Sequence, residues 1–184
     1  MAFEQTFIIP EIFHEKLMTF AKNNPLLHDI KEFFELHSEQ YFLLQTIVKK
    51  FAKRGEISTL DVENAVKILF RGGYVVFVIQ KGFKNAKNKV DTSGNIENAR
   101  IPFFSHNMLK IIDFLEHNGL CGTVEIQNKC EILYSDCRAE IEVLVAYDIV
   151  QRTGFGKNNY VSLTPDCDQF LTLAHKLQPK TDEF

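Results

Sequence analysis

The stretch Ser135–Pro165, SDCRAEIEVLVAYDIVQRTGFGKNNYVSLTP, decides which fold this sequence predicts. Ser135 is the expected N-cap of a helix, because its hydroxyl can accept a hydrogen bond from a free N–H of the first turn. Apolar residues then recur at helical spacing, at Ile141, Leu144, Val145 and Ile149. A Gly- and Asn-rich segment, 153–159, separates two short runs that have the alternation of strands. The stretch therefore predicts a helix followed by a β-hairpin.

This order of elements resembles the recognition helix and wing of winged helix-turn-helix domains, particularly the MarR- and ArsR-type shape. In that shape the returning strand ends in a Tyr-x-x-Leu-Thr-Pro-like sequence, which stands here at Tyr160–Pro165. The resemblance covers about residues 105–178 and adds three expected helices. The first ends at Asn118-Gly119, a short second one has Thr123 as its N-cap, and a closing helix spans 166–178. Because most compact bacterial winged helices bind DNA, the resemblance implies DNA binding.

The first half of the chain repeats this order of predicted elements. Ser58 and Asp61 form a predicted capping box at the start of a helix, and Gly72-Gly73 end that helix. Tyr74–Gln80 is β-branched and aromatic, which predicts a short buried strand. The polar segment Lys81–Asn98 would be a long wing or loop. No letter-by-letter repeat joins the two halves, so a second winged helix is inferred from element order alone.

We therefore expect an α+β protein, mostly α, built from two tandem winged-helix-like modules, residues 1–100 and 101–184. The alternative is a helical first half with one winged helix behind it. Hydrophobic residues make up 45% of the chain and include 17 Phe, which is enough for a packed core. No apolar run approaches the roughly 20 residues of a membrane helix. Because four cysteines are too few for a disulfide scaffold and the start lacks a basic signal region, we expect a cytoplasmic protein.

Charge is distributed unevenly along the chain. Residues 58–100 hold 7 Lys and Arg against 4 Asp and Glu, whereas residues 101–184 hold 7 against 12. The half that most resembles a DNA-binding domain is therefore the acidic one. This asymmetry bears on function, because a duplex attracts positive surfaces and repels negative ones.

Clustered cations predict where a duplex would bind. Four lysines fall within nine residues of the predicted loop, namely Lys81, Lys84, Lys87 and Lys89. On a loop they could neutralise phosphates, although a solvated loop without a ligand is the alternative. A second basic face is expected on a helix over Gln40–Arg54, with Lys49, Lys50, Lys53 and Arg54. The second half would add Arg138, Arg152 and Lys157.

The outward face of the predicted recognition helix suits a protein partner better than DNA. Arg138 is the sole cation expected there, and the neighbouring carboxylates would repel phosphates. Aromatic residues with a few charges commonly anchor protein contacts. The expected partner-binding residues are Glu140, Glu142 and Tyr147.

Metal binding and catalysis find less support in the sequence. Cys121, Cys130 and Cys137 could hold a metal, but no Cys-x-x-Cys pair exists, which favours ordinary buried thiols. The segment 154–158 lacks the upstream Gly and the Ser or Thr of a phosphate loop. His14-Glu15 is followed by Met18 where a zinc protease needs its second His. We therefore expect no enzyme activity and no cofactor.

Two functions of different class fit these observations. The first is a DNA-binding transcription regulator or architectural factor, expected to be a homodimer through the amphipathic helices at its ends. The second is a protein–protein interaction scaffold of tandem winged helices, a subunit of a larger complex that does not read DNA. Tandem winged helices of the second kind occur in kleisin partners associated with SMC proteins and in membrane-remodelling complexes. The acidic second half favours the scaffold, and the resemblance favours the regulator.

Overall fold

The computed structural model describes residues 8–86, 89–91, 104–154 and 159–177. Its backbone divides into two units, Met1–Phe103 and Phe104–Phe184. The expected α+β, mostly helical class is confirmed. Across the described ranges, every helix is too short or too polar to cross a bilayer.

Within its described residues, the first unit contains four helices and four short strands. In chain order these are β1 (Ile8–Pro10), α1 (Glu11–Lys22), α2 (Pro25–Leu36), α3 (Leu44–Phe51), α4 (Thr59–Arg71), β2 (Val75–Val78), β3 (Gly82–Asn85) and β4 (Lys89–Asp91). Strands β2 and β3 form an antiparallel hairpin, and β1 pairs with β4 in parallel. Phe42 adds a single antiparallel bridge to Phe83, so β3 lies between β2 and the chain at Phe42.

The second unit contains four helices and three strands within the described residues. These are α5 (His106–Asn118), β5 (Cys121–Gly122), α6 (Thr123–Cys130), α7 (Tyr134–Ala146), β6 (Val150–Thr153), β7 (Tyr160–Leu163) and α8 (Asp168–Leu177). The sheet order is β5-β7-β6, with all pairs antiparallel. The predicted pairing of the hairpin is confirmed, since Val150 lies opposite Leu163 and Thr153 opposite Tyr160.

The two units share one sequence of elements from α2 and from α5 onward. A long helix is followed by a short extended contact, an eight-residue helix, a 13-residue helix and a hairpin of two four-residue strands. In both units the returning strand of the hairpin lies in the middle of the sheet. This arrangement is compatible with a winged-helix-like fold in each unit.

Each unit packs its helices around its own apolar core. Fully buried large side chains of the first unit are Phe13, Leu17, Leu27, Ile30, Phe34, Ile47 and Leu69. Those of the second unit are Met108, Ile111, Tyr147 and Phe170. Phe170 anchors the closing helix α8, and an ion pair between His175 Nε2 and Glu116 Oε2 at 2.8 Å joins α8 to α5. Most of the stability of these short helices comes from such packing.

Several predicted helix ends are confirmed and others are wrong. The capping box at Ser58 is present, and Asn118-Gly119 ends α5 with Gly119 at a φ of 70°. Ser135 is not an N-cap, because α7 already begins at Tyr134 and Leu133 occupies the cap position. Thr123 is the first residue of α6 and its cap is Gly122.

The predicted limits of three elements in the first half also need correction. The helix expected over Gln40–Arg54 spans only Leu44–Phe51, because Phe42 is extended and pairs with Phe83. The strand expected over 74–80 is shorter and only partly buried, since Phe77 is 52% exposed. Of the segment Lys81–Asn98, expected to be a long wing or loop, the start forms the turn and returning strand of a tight hairpin with β2, and residues 87, 88 and 92–98 lie outside the described residues.

Gly82 provides a test of this hairpin, with Gly55 as a matched control. Both glycines have positive φ values, 100° and 85°. A Cβ on Gly82 would lie 2.3 Å from the carbonyl oxygen of Phe42, whereas nothing lies within 4 Å of a Cβ on Gly55. We expect Gly55→Ala to cost about 1 kcal/mol of unfolding free energy from backbone strain, and Gly82→Ala about 3 kcal/mol because a clash is added. Urea denaturation measures both, and equal losses would contradict the close approach to Phe42.

Candidate nucleic-acid interface

A closed turn joins the eight-residue helix α3 to α4. Lys53 and Ile57 exchange two backbone hydrogen bonds, of 3.0 and 2.9 Å. Gly55 supplies the positive φ that this turn requires. Because the ends of the turn are tied together, the side chains of Lys53 and Arg54 project from a defined corner, and both are exposed.

Four cations form one basic corner of the first unit, defined here as Lys49, Lys50, Lys53 and Arg54. All four are exposed, and none of them makes an ion pair with a carboxylate of the described residues. Lys50 Nζ lies 5.1 Å from the centre of the Phe33 ring, which holds its stem against apolar surface. The corner therefore offers positive charge that is not neutralised within the described part of the protein.

The N-terminus of α4 directly follows this corner. Ser58 Oγ accepts a hydrogen bond from the N–H of Asp61 at 3.1 Å, and the Ser58 N–H donates to Asp61 Oδ2 at 2.8 Å. The Ser58 hydroxyl also donates to Asp61 Oδ2 at 2.7 Å, and these bonds from Ser58 lower the pKa of the Asp61 carboxyl. The positive end of the helix dipole adds to the positive potential around the corner. Exposed cations beside a helix N-terminus are a combination known to attract anions, and the ionised Asp61 offsets part of this attraction here.

The first hairpin holds two of the lysines predicted to bind nucleic acid. Lys81 is exposed in the turn. Lys84 is not freely available to a phosphate. Its Nζ lies 3.4 Å from Glu39 Oε2, and its side chain is only 14% exposed. The nitrogens of both lysines lie 5.4 Å from the centre of the Tyr41 ring. This hairpin therefore offers a duplex one accessible cation, Lys81, within the described residues.

Two further lysines that were predicted to bind nucleic acid lie in parts of the chain that the structure does not describe, one of them at the tip of the second hairpin. Lys87 and Lys157 lie outside the described residues. Lys89 is described only through its backbone, which belongs to strand β4 and pairs with Ile8. Their predicted contact with phosphates stays a prediction.

Helix α7, which the sequence predicted to be a recognition helix, has few cations available to a duplex. Arg138 is exposed, with its guanidinium 5.8 Å from the centre of the Tyr134 ring. Arg152 Nη2 donates to Glu142 Oε1 at 2.6 Å, so a residue predicted to bind DNA pairs with one predicted to bind protein. This ion pair satisfies both charges across α7 and β6.

Two predicted partner-binding residues, Glu140 and Tyr147, were assigned wrongly to the surface. Glu140 is 3% exposed and Tyr147 is fully buried. The Ser105 hydroxyl donates to Glu140 Oε1 at 3.1 Å and also accepts a hydrogen bond from the N–H of Met108 as the cap of α5. Tyr147 is the C-cap residue of α7, and its side chain is buried in the core. Helical periodicity placed Glu140 outward because it could not show that α5 would supply a polar partner.

The cysteines behave as buried thiols. All four are free and buried, and burial raises the pKa of Cys137 to about 11. Cys121, Cys130 and Cys137 do not bring their sulfur atoms close enough together for shared metal ligation. Among the described residues, the one group with ligating geometry is His28, Asp29 and Glu32, which lie exposed on α2.

Sequence reasoning missed a set of exposed apolar side chains. Phe77 and Ile79 lie at the end of the first hairpin, 52% and 80% exposed. Leu133 and Tyr134 lie at the start of α7, 72% and 48% exposed. The β-branched, aromatic composition around Phe77 predicted burial, because it is the same in a covered strand and in an exposed edge strand. Only the fold shows which strand is at the edge.

Comparisons with known proteins identify no family. No protein-family model matches the chain, and no curated protein matches it significantly. Among solved structures, the chain is similar to the crystal structure of a possible transcriptional regulatory protein (fragment 1–100) from Mycobacterium bovis. The two are 18% identical, the similarity covers 39% of this chain and 77% of the other, and the TM-score is 0.36. At this TM-score the similarity establishes neither a family nor a function.

The cap of α4 yields a pH-dependent prediction. Because hydrogen bonds lower the pKa of Asp61 below its ordinary value of 3.8, the capping box stabilises the fold fully above that pH. The stabilisation is lost as the pH falls through the lowered pKa. We expect Ser58→Ala to cost about 1 kcal/mol at neutral pH and less in acid, measured by urea denaturation at both pH values.

Ser135→Ala is the matched control for this variant. Ser135 is exposed and is not the cap of α7, so its replacement should change the unfolding free energy by less than about 0.5 kcal/mol. A loss at Ser135 as large as that at Ser58 would contradict the helix start observed for α7.

Proposed function

We propose that this chain is a non-enzymatic DNA-binding protein, a transcription regulator or architectural factor, whose first unit contacts the duplex. The observation that carries the proposal is the basic corner between α3 and α4. Its four cations are exposed and lack carboxylate partners within the described residues. Phosphate contacts of this kind supply most of the sequence-independent affinity for a duplex.

The position of the corner supports contact with a duplex. It immediately precedes α4, the equivalent of the recognition helix, and the capping box fixes how α4 begins. Phosphate contacts at that point would set the orientation of α4 on the duplex. Two carboxylates adjoin the corner: Glu56, which is exposed in the turn itself, and Asp61 on α4, which accepts hydrogen bonds from Ser58. The four cations outnumber them.

The second unit is assigned no direct role on the duplex. Its 12 acidic residues against 7 basic ones would repel phosphates. The exposed face of α7 contributes Arg138, while Arg152 is held by Glu142. In this proposal, the basic corner of the first unit binds the duplex without any contact from the second unit.

A second candidate, the protein-interaction scaffold, is favoured by the start of α7. Leu133 occupies the N-cap position, makes no side-chain cap bond and is 72% exposed. A polar cap there would stabilise the helix by about 1 kcal/mol. A residue that gives up this stability and exposes apolar surface is typical of a binding site for another protein. In this candidate the contact is made by Leu133 and Tyr134.

The DNA-binding proposal is tested by the salt dependence of binding. Fluorescence anisotropy with a random duplex should show binding that weakens about 100-fold between 50 and 200 mM salt, as about four phosphate contacts require. The double variant Lys53→Ala/Arg54→Ala should bind more weakly on every sequence and reduce the salt slope by about 2.

The control removes the same charge from the second unit. Lys129→Ala/Arg138→Ala changes two exposed cations there and should leave affinity and slope unchanged. A drop with the control pair and none with the Lys53/Arg54 pair would assign the duplex to the second unit. No binding of wild-type protein at low salt would reject the proposal.

The scaffold candidate makes a different prediction. If α7 binds a protein, the double variant Leu133→Ser/Tyr134→Ser should lose a partner that co-purifies with the wild-type chain from its native cells. DNA affinity should not change, because neither residue belongs to the basic corner. Retention of the partner by the variant would remove the start of α7 from the interface.

A further inference from the structure

The tip of the first hairpin exposes apolar side chains. We define the wing tip as residues Phe77–Lys81, which include the end of β2 and the turn. Ile79 is 80% exposed and Phe77 is 52% exposed. Ile79 is therefore the most exposed large apolar side chain of the described residues.

Local contacts brace the wing tip. The N–H of Lys81 donates to the carbonyl of Val78 at 3.0 Å, and Gln80 between them has a φ of 68°. The Phe77 ring packs on the Phe83 ring with their centres 5.0 Å apart. Phe83 exchanges two backbone hydrogen bonds of 2.8 Å with Phe42, outside the hairpin. Ile79 thus projects from a short turn that is held on both strands.

The second hairpin allows a comparison only along its strands, because its tip, residues 155–158, lies outside the described residues; Tyr160 on its returning strand is 41% exposed. The equivalent outgoing strand, β6, exposes Gln151, Arg152 and Thr153, all polar. That strand follows the usual pattern, in which polar side chains protect an exposed edge. Strand β2 departs from that pattern at Phe77, which is 52% exposed.

Charge around the wing tip favours nucleic acid as its ligand. The segment 74–86 contains no acidic residue, and of its two lysines Lys84 is paired with Glu39, which leaves Lys81 as the accessible cation. Lys81 is exposed and adjoins the tip, and Gln80 beside it is exposed as well. Proteins that bend DNA from the minor groove combine cations and amides with an apolar wedge of Phe, Leu, Ile or Met placed between base steps.

We propose that the wing tip inserts Ile79 between two base pairs from the minor groove and bends the duplex, with Lys81 on the adjacent phosphate. This inference rests on the DNA binding proposed above and names the way in which the duplex is held. Burial of Ile79 against unstacked bases would offset part of the cost of unstacking. Pyrimidine–purine steps unstack most easily, so they would be the preferred sites.

The test measures binding and bending on the same samples. A duplex of about 30 base pairs carries a donor and an acceptor dye at its two ends and a central TA step, and a second duplex carries an A-tract instead. Wild-type protein should raise energy transfer on the TA duplex and bind it more tightly than the A-tract duplex. Ile79→Ala should abolish the rise in energy transfer and lower affinity for the TA duplex about tenfold.

The control variant is Leu36→Ala, which removes an equally exposed aliphatic side chain, 75% exposed, from the end of α2. It should bind and bend like the wild type. Ile79→Ala should retain the steep salt dependence, because the basic corner is unchanged. Circular dichroism confirms that both variants are folded.

Three other outcomes would contradict the inference, and each has a different meaning. Binding without bending by the wild type, or full bending by Ile79→Ala, rejects the wedge and leaves the proposed DNA binding intact. Absence of binding rejects both proposals. If sedimentation shows a wild-type oligomer that Ile79→Ala dissociates, the wing tip is a protein contact and the wedge is rejected.

Discussion

The returning strand of each hairpin is the element on which the rest of the structure depends. In the first unit β3 pairs with β2 on one side and, through Phe83, with Phe42 on the other. In the second unit β7 pairs with β6 and with Cys121–Gly122. A strand with partners on both sides satisfies its backbone groups and ties the hairpin to the chain that precedes the short helix. These backbone pairings fix where the short helix begins in each unit, at Leu44 and at Thr123.

The two units thus share an arrangement of elements but have different surfaces. The first unit combines the basic corner with an apolar wing tip, and both would interact favourably with nucleic acid. The second unit is acidic, pairs Arg152 with Glu142 and exposes Leu133 at the start of α7. Because the elements from α2 to β3 correspond to those from α5 to β7, the contrast between these parts comes from side chains rather than from the fold. Under the two proposals, similar architectures would serve different partners, a duplex at the first unit and a protein at the second.

Sequence patterns that span three or four residues correctly predicted the features that depend only on near neighbours. Helical spacing, the capping box at Ser58 and the stop at Gly119 need only neighbours three or four residues away, and all are confirmed. The failures lie where a distant strand overrides the local pattern. The helix expected from Gln40 begins at Leu44 because Phe42 pairs with Phe83, 41 positions further along the chain. Ser135 has the chemistry of a cap, but packing starts α7 one residue earlier.

The sequence by itself determined the fold class, the order of the helices in both halves and the uneven charge, because these follow from composition and short-range spacing. It also placed four cations together at Lys49–Arg54. Only the tertiary structure decided which charges are available. Lys84 meets Glu39 across 45 positions and Glu140 meets Ser105 across 35, so one predicted cation and one predicted carboxylate are engaged inside the protein. The availability of a charge depends on the groups that folding brings beside it, and no local pattern contains that information.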